Sequence, residues 1–152
     1  MQHIIHTLFL LLLFGLISCN PCNNLDCISS NYYGQFRIIS KADNKDLVFG
    51  PSRIYDKDSI KFYALNGTDT TFYETKAIRF PDTGYDSILF VKFFPETSTA
   101  FIQLNGGDID TLNLTYISRN TKCCGTVIEI NNFKFNNSTE LGSNRETREI
   151  KK

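Results

Sequence analysis

Two pairs of carboxylates spaced i, i+2, Asp56/Asp58 and Asp108/Asp110, are the side chains best suited by type and spacing to acid–base chemistry. On one strand that spacing puts both carboxyls on the same face, as a glycoside hydrolase requires of its two acids. Both pairs lie beside turn residues, where solvated acids are commonplace, and solvated turn acids are what the sequence predicts. Calcium chemistry is equally thin. Asp43-Asn44-Lys45-Asp46 and Asn105-Gly106-Gly107-Asp108-Ile109-Asp110 offer oxygen ligands but match no complete loop pattern such as the EF-hand. For the first run a β-turn already explains the residues. The only two histidines, His3 and His6, precede residue 19. Their position removes Ser-His-Asp and Cys-His nucleophile pairs, and the commonest zinc ligand, from the rest of the chain. The expectation is a protein that is not an enzyme and carries no cofactor and no metal.

Cys19 offers a different chemistry. It closes Leu16-Ile17-Ser18-Cys19, at the end of an apolar stretch from Ile4 to Ile17 that no charge interrupts. That stretch falls short of the roughly 20 apolar residues of a spanning helix, and its small-residue end suits a processing enzyme. The four residues resemble the bacterial lipobox, whose Cys becomes the first mature residue and carries the lipid. This resemblance implies a signal peptide over residues 1–18 and lipidation of Cys19, with the polar stretch 19–31 as a spacer. It further implies a lipid bilayer as partner through acylated Cys19, and a lipid-anchored place in the cell envelope, periplasm-facing or surface-exposed, with the outer membrane the first expectation.

With Cys19 lipidated, four cysteines remain: Cys22, Cys27, Cys123 and Cys124. An even number outside the cytoplasm reads as disulfides, and three pairings are open. A bond between the adjacent Cys123 and Cys124 would distort the peptide between them, which resists departure from planarity. At least one bond from Cys22 or Cys27 to Cys123 or Cys124 is therefore expected. Zinc fits less well, since the second pair lacks the spacer residues zinc sites carry.

Strand signals fill the remainder. Gln35–Ser40 alternates and Leu47–Phe49 follows a polar turn; Ser59–Leu65 puts Ile60, Phe62 and Ala64 on one face and Lys61, Tyr63 and Leu65 on the other. Asn66-Gly67 is a hairpin signal, with Thr70–Phe80 as the return strand. Ile88–Phe94 is the most apolar run; Ala100–Leu104, Ile109–Ile117 and Thr126–Phe135 complete the set. About eight short strands without intervening helical patterns exclude a parallel βαβ sheet and predict an all-β domain, a single antiparallel β-sandwich of immunoglobulin-like or transthyretin-like type, over residues 32–136. A closed barrel is the structural alternative. Residues 137–152 lose the apolar pattern and are expected to form a disordered polar tail.

All sixteen Lys and Arg and all sixteen Asp and Glu follow residue 18, giving no net charge. That balance excludes the basic stripes of a nucleic-acid binder. Asp58-Ser59-Ile60, Asp69-Thr70-Thr71, Asp86-Ser87-Ile88 and Asp110-Thr111-Leu112 share one pattern: Asp, a hydroxyl residue, then Thr or an apolar residue. This resembles the O-glycosylation acceptor of exported proteins of the Bacteroidota and implies Ser59, Thr70, Ser87 and Thr111 as acceptors. A strand opening after a turn explains the same residues. Together with the lipobox, the Asn-rich composition, the single Met and the paired cysteines, the chain looks like the small β-sandwich lipoproteins of that phylum, a resemblance that brings no known activity. The expected function is that of a non-catalytic envelope lipoprotein with a protein partner or a structural role. The alternative is a glycan-binding module using exposed Tyr32, Tyr33, Tyr55, Tyr73 or Tyr85.

Overall fold

Alternation sets the layers. In the strand from Lys61 to Asn66, Phe62 and Ala64 are buried while Lys61 and Leu65 face solvent, so one side of this strand seeks a second sheet. The computed structural model describes residues 22, 27, 30–79, 87–95, 97–137, 139–141 and 147–152. These residues contain no helix and form β1 (Tyr33–Ile39), β2 (Lys61–Asn66), β3 (Asp69–Phe72), β4 (Glu74–Arg79), β5 (Ser87–Lys92), β6 (Thr99–Gln103), β7 (Ile109–Thr121), β8 (Gly125–Phe135), β9 (Thr139–Glu140) and β10 (Arg148–Lys151). One sheet has the order β10-β1-β5-β4 and the other β3-β2-β6-β7-β8-β9. The fold is a β-sandwich and not a closed barrel. Within it, β1-β5-β4 facing β3-β2-β6-β7 follows the strand order of an immunoglobulin domain.

Phenylalanines fill the space between the sheets. Phe36 of β1 stacks on Phe62 of β2 at 5.5 Å and meets Phe133 of β8 edge-on at 5.3 Å, and all three are buried. Such contacts add to simple area burial because ring edges and faces carry opposite partial charge. The backbone next to Phe36 is tight. A Cβ on Gly34 would lie 2.5 Å from the Phe36 ring and 2.9 Å from that of Phe93.

Four expectations are corrected. The strand expected from Thr70 breaks at Tyr73: its buried ring packs on Phe93 at 5.0 Å, its N–H donates to the Phe62 carbonyl, and the chain passes from one sheet to the other. Leu47–Phe49 is a bend, because Asp46 Oδ1 accepts from the N–H groups of both Val48 and Phe49, at 2.9 and 2.8 Å. The sandwich is not purely antiparallel: β10 lies parallel to β1, with Phe36 opposite Arg148 and Ile38 opposite Ile150. The same strand overturns the disordered tail at its far end. Ile150 enters the core, and the buried Arg148 guanidinium sits over the Phe133 ring at 4.2 Å.

Candidate functional site

The β7–β8 hairpin carries the cysteines. Its two strands pair from Leu112↔Phe135 out to Thr121↔Gly125, and the turn between them holds Cys123 and Cys124. Thr121 Oγ1 accepts from the Cys124 N–H at 3.0 Å and donates to the Gly125 carbonyl, which braces the turn. Cys22 is bonded to Cys123 and Cys27 to Cys124, with Cα–Cα separations of 5.1 and 5.3 Å. Both bonds therefore cross from the N-terminal stretch to the hairpin, and adjacent cysteines hold different partners. Nor do the described residues of 19–31 behave as a free spacer. The Asn31 N–H donates to the Ile128 carbonyl, the Ile130 N–H to the Asn31 carbonyl, and the Ile128 N–H to Ser30 Oγ, which lays this segment against β8. Cys19 and residues 1–18 lie outside the described residues.

At the other end of β7, charge replaces sulfur. The Lys152 ammonium lies 2.7 Å from Asp108 Oδ1 and 2.7 Å from Asp110 Oδ2. Asn136 Nδ2 donates to Asp110 Oδ1 at 2.7 Å, and Tyr55 OH donates to Asp108 Oδ2 at 3.1 Å. Four segments meet here: the end of β10, the β6–β7 loop, the long β1–β2 loop and the β8–β9 turn. Burial pushes the Tyr55 phenol up and Asp108 adds to that shift. For Lys152 burial acts downward, but its hydrogen bonds to Asp108 and Asp110 outweigh it and the ammonium ends above its ordinary value. The Asp108/Asp110 pair singled out for acid–base work is thus held by a lysine. Asp56 and Asp58 do not form a facing pair either: Asp56 Oδ1 accepts the Asp58 N–H, and Asp58 bonds Lys57. In the other oxygen-rich run Asp43 pairs with Lys45, and Asp46 Oδ2 with Arg37. Among the described residues no group of three His, Cys, Asp or Glu is placed to hold a metal ion.

The four acceptor-like hydroxyls separate by exposure. Ser59 and Thr70 are exposed, the first in a turn and the second on the edge strand β3, whereas Ser87 and Thr111 are half-buried. Thr111 also bonds Asn136 Oδ1 through its N–H, at 2.9 Å.

The tyrosines named from sequence do not form a row. Tyr73 is buried, Tyr32 packs edge-on against Tyr116, Tyr33 lies tilted against Phe90, and Tyr55 is committed to Asp108; Tyr85 lies outside the described residues. A different row exists on the outer face of the six-stranded sheet. Tyr63 lies opposite Phe72 on one side and Phe101 on the other, with ring centroids 5.9 and 5.3 Å apart. Phe72 is 56% exposed and Lys61 sits over its ring at 5.6 Å. The alternation of β2 had placed Tyr63 on that face; its neighbours depend on strand pairing, which no local pattern gives. The β1–β2 loop adds one more apolar group, Ile54, 69% exposed at the rim of a depression of about 530 Å³ shared with Phe49, Arg53 and Lys57. No family model, curated protein or solved structure matches the chain.

Proposed function

We propose that the protein is a non-catalytic lipoprotein of the cell envelope, anchored through acylated Cys19, which presents the end of the sandwich remote from its anchor to a protein partner. The observation that carries this reading is the pair of bonds Cys22–Cys123 and Cys27–Cys124. They bring the N-terminal stretch to the β7–β8 turn, while Asp108, Lys152 and the β1–β2 loop gather at the opposite end of β7. Thirteen residues of strand separate the two ends, a span of about 40 Å at 3.3 Å per residue. Exposed Ile54 on that remote loop, beside Arg53, supplies the apolar contact with a charged rim that transient partners use. The test is cross-linking of the native acylated protein in envelope membranes, comparing Ile54→Asp with Lys76→Glu on the exposed strand β4. A partner whose cross-link is lost in Ile54→Asp alone supports the reading; equal yields in both variants and the wild type refute it.

A second reading, a glycan-binding module, is favoured by one observation: the row Phe72, Tyr63 and Phe101 with Lys61 beside it. Aromatic rings next to hydrogen-bonding side chains suit the apolar and hydroxyl faces of a sugar. Binding of envelope polysaccharide that Tyr63→Ala abolishes would favour this reading, and unchanged binding in Tyr63→Ala would refute it.

A further inference from the structure

Cys19 stands three residues before Cys22, and Cys22 is bonded to Cys123 at the tip of the β7–β8 hairpin. Three links of extended chain reach at most about 11 Å. The Cys22–Cys123 pair adds a Cα–Cα step of 5.1 Å. The tip therefore lies within about 16 Å of residue 19, whatever path the leash takes. A free spacer running to residue 31 would let the domain range several times farther; the two bonds remove that freedom.

We infer that the tip of the β7–β8 hairpin is a membrane-docking surface that rests on anionic lipid headgroups. This rests on the reading of Cys19 as the acylated residue. Three features beyond the short leash fit this occupant. From Ile117 to Ile128 the chain carries two cations, Arg119 and Lys122, and no carboxylate, while the chain as a whole is neutral; Arg119 reaches back to Glu129 at 3.8 Å, so Lys122 supplies the uncompensated charge of the tip. Basic groups held beside a bilayer are drawn to anionic headgroups within a Debye length. The exposed side chains of the tip, Ser118, Asn120, Thr121 and Thr126, are hydroxyls and an amide suited to hydrated headgroups. Finally, bonds to two adjacent residues, 123 and 124, clamp residues 22 and 27 onto the hairpin, so the leash leaves the domain at the tip itself.

The chain contains no Trp, so single-Trp reporters read one position each. The acylated full-length protein is placed in vesicles of phosphatidylethanolamine and phosphatidylglycerol that carry a nitroxide on the headgroup. Asn120→Trp should lose most of its emission, and Ile54→Trp at the remote loop should keep it. Reversing charge in Lys122→Glu, made in the Asn120→Trp background, should restore part of the lost emission. Replacing both Cys22 and Cys123 by Ser lengthens the leash from three residues to eight and should restore more of it. Intact mass of the same sample separates the two failures. Protein that carries no acyl group on Cys19 overturns the anchor and this inference with it. Acylated, vesicle-bound protein whose Asn120→Trp is quenched no more than Ile54→Trp overturns the docking surface and leaves the anchor standing.

Discussion

Lys152 and Asp110, 42 positions apart in the chain, meet at 2.7 Å and tie the last strand of one sheet to the β6–β7 end of the other. Asp110 is buried and its second oxygen is taken by Asn136, so the carboxylate is left largely desolvated if the ammonium is lost. Breaking a fully buried pair costs roughly 3–5 kcal/mol. The Lys152 side chain is 18% exposed, and solvent screening lowers the expected cost of Lys152→Met to about 2 kcal/mol. Urea midpoints at neutral pH check this; a change within about 0.5 kcal/mol, the range of ordinary surface substitutions, would refute it.

The buried and half-buried tyrosines, together with Lys152, set the alkaline limit of stability. Tyr116 is pushed up to about 12, first by burial and then by neighbouring Tyr73 and Tyr32. Tyr73 and Tyr55 rise for the same first reason, and Lys152 also stands above its ordinary value. Each binds its proton more tightly folded than unfolded. Their contribution is complete below about pH 10, where the unfolded groups begin to titrate, and is lost as the pH rises through the folded values. On the acid side Lys45 holds Asp43 down to about 2, and Lys76 lowers Glu74. These contributions are present above the unfolded carboxylate values and fade as the pH falls, but both pairs are fully exposed and screened. The urea midpoint should therefore fall steeply between about pH 10 and 12 and only gently towards pH 3. Far-UV circular dichroism across that range, with the disulfides intact, is the measurement.

The two disulfides should be strongly non-additive. Either one alone closes a loop of about 100 residues, for which chain entropy predicts about 4–5 kcal/mol. Once it is closed, the second bond closes only the short ring through residues 22–27 and 123–124, for which the same relation gives about 2–3 kcal/mol. Replacing Cys27 and Cys124 by Ser should cost about the smaller amount, and replacing all four about 7 kcal/mol. Non-reducing urea titrations of the three proteins decide it; equal costs for the two steps would contradict the argument.

Which of these features the sequence announces depends on the range of the interaction. Ile60, Phe62 and Ala64 declare their inward face by alternation, Asn66-Gly67 its turn, and Gly67 does adopt a φ of +61°. The cross-chain disulfides follow from parity and from the strain of a Cys123–Cys124 bond. The passage of the chain between sheets at Tyr73 is hidden, because alternation continues through it and only the packing on Phe93 requires the change. Arg148 reads as solvent-exposed by type, yet it is buried because its guanidinium finds the face of Phe133. Lys152 with Asp108 and Asp110, and Tyr63 with Phe72 and Phe101, depend on which strands become neighbours. No window of consecutive residues contains that.

Gly34 reports on the packing of the core centre. A methyl group there would meet the Phe36 ring at 2.5 Å, and Phe36 is already held by Phe62, Phe93 and Phe133. With the ring hemmed in by three others, Gly34→Ala should cost about 1–3 kcal/mol, the usual range for overpacking. A variant as stable as the wild type would show that the ring retains room.

Ile150 distinguishes a core strand from a solvated tail. Its side chain is buried beside Ile38, its opposite number in the parallel pair β1–β10, and it belongs to the main apolar cluster. Truncation to Ala should leave a cavity under the sheet edge and cost about 2–4 kcal/mol. Lys151, its exposed neighbour, should tolerate Ala within about 0.5 kcal/mol. Were the last residues merely solvated, both variants would unfold with the wild type in urea. A midpoint shift confined to Ile150→Ala is the expected result, since only that side chain leaves water when the chain folds.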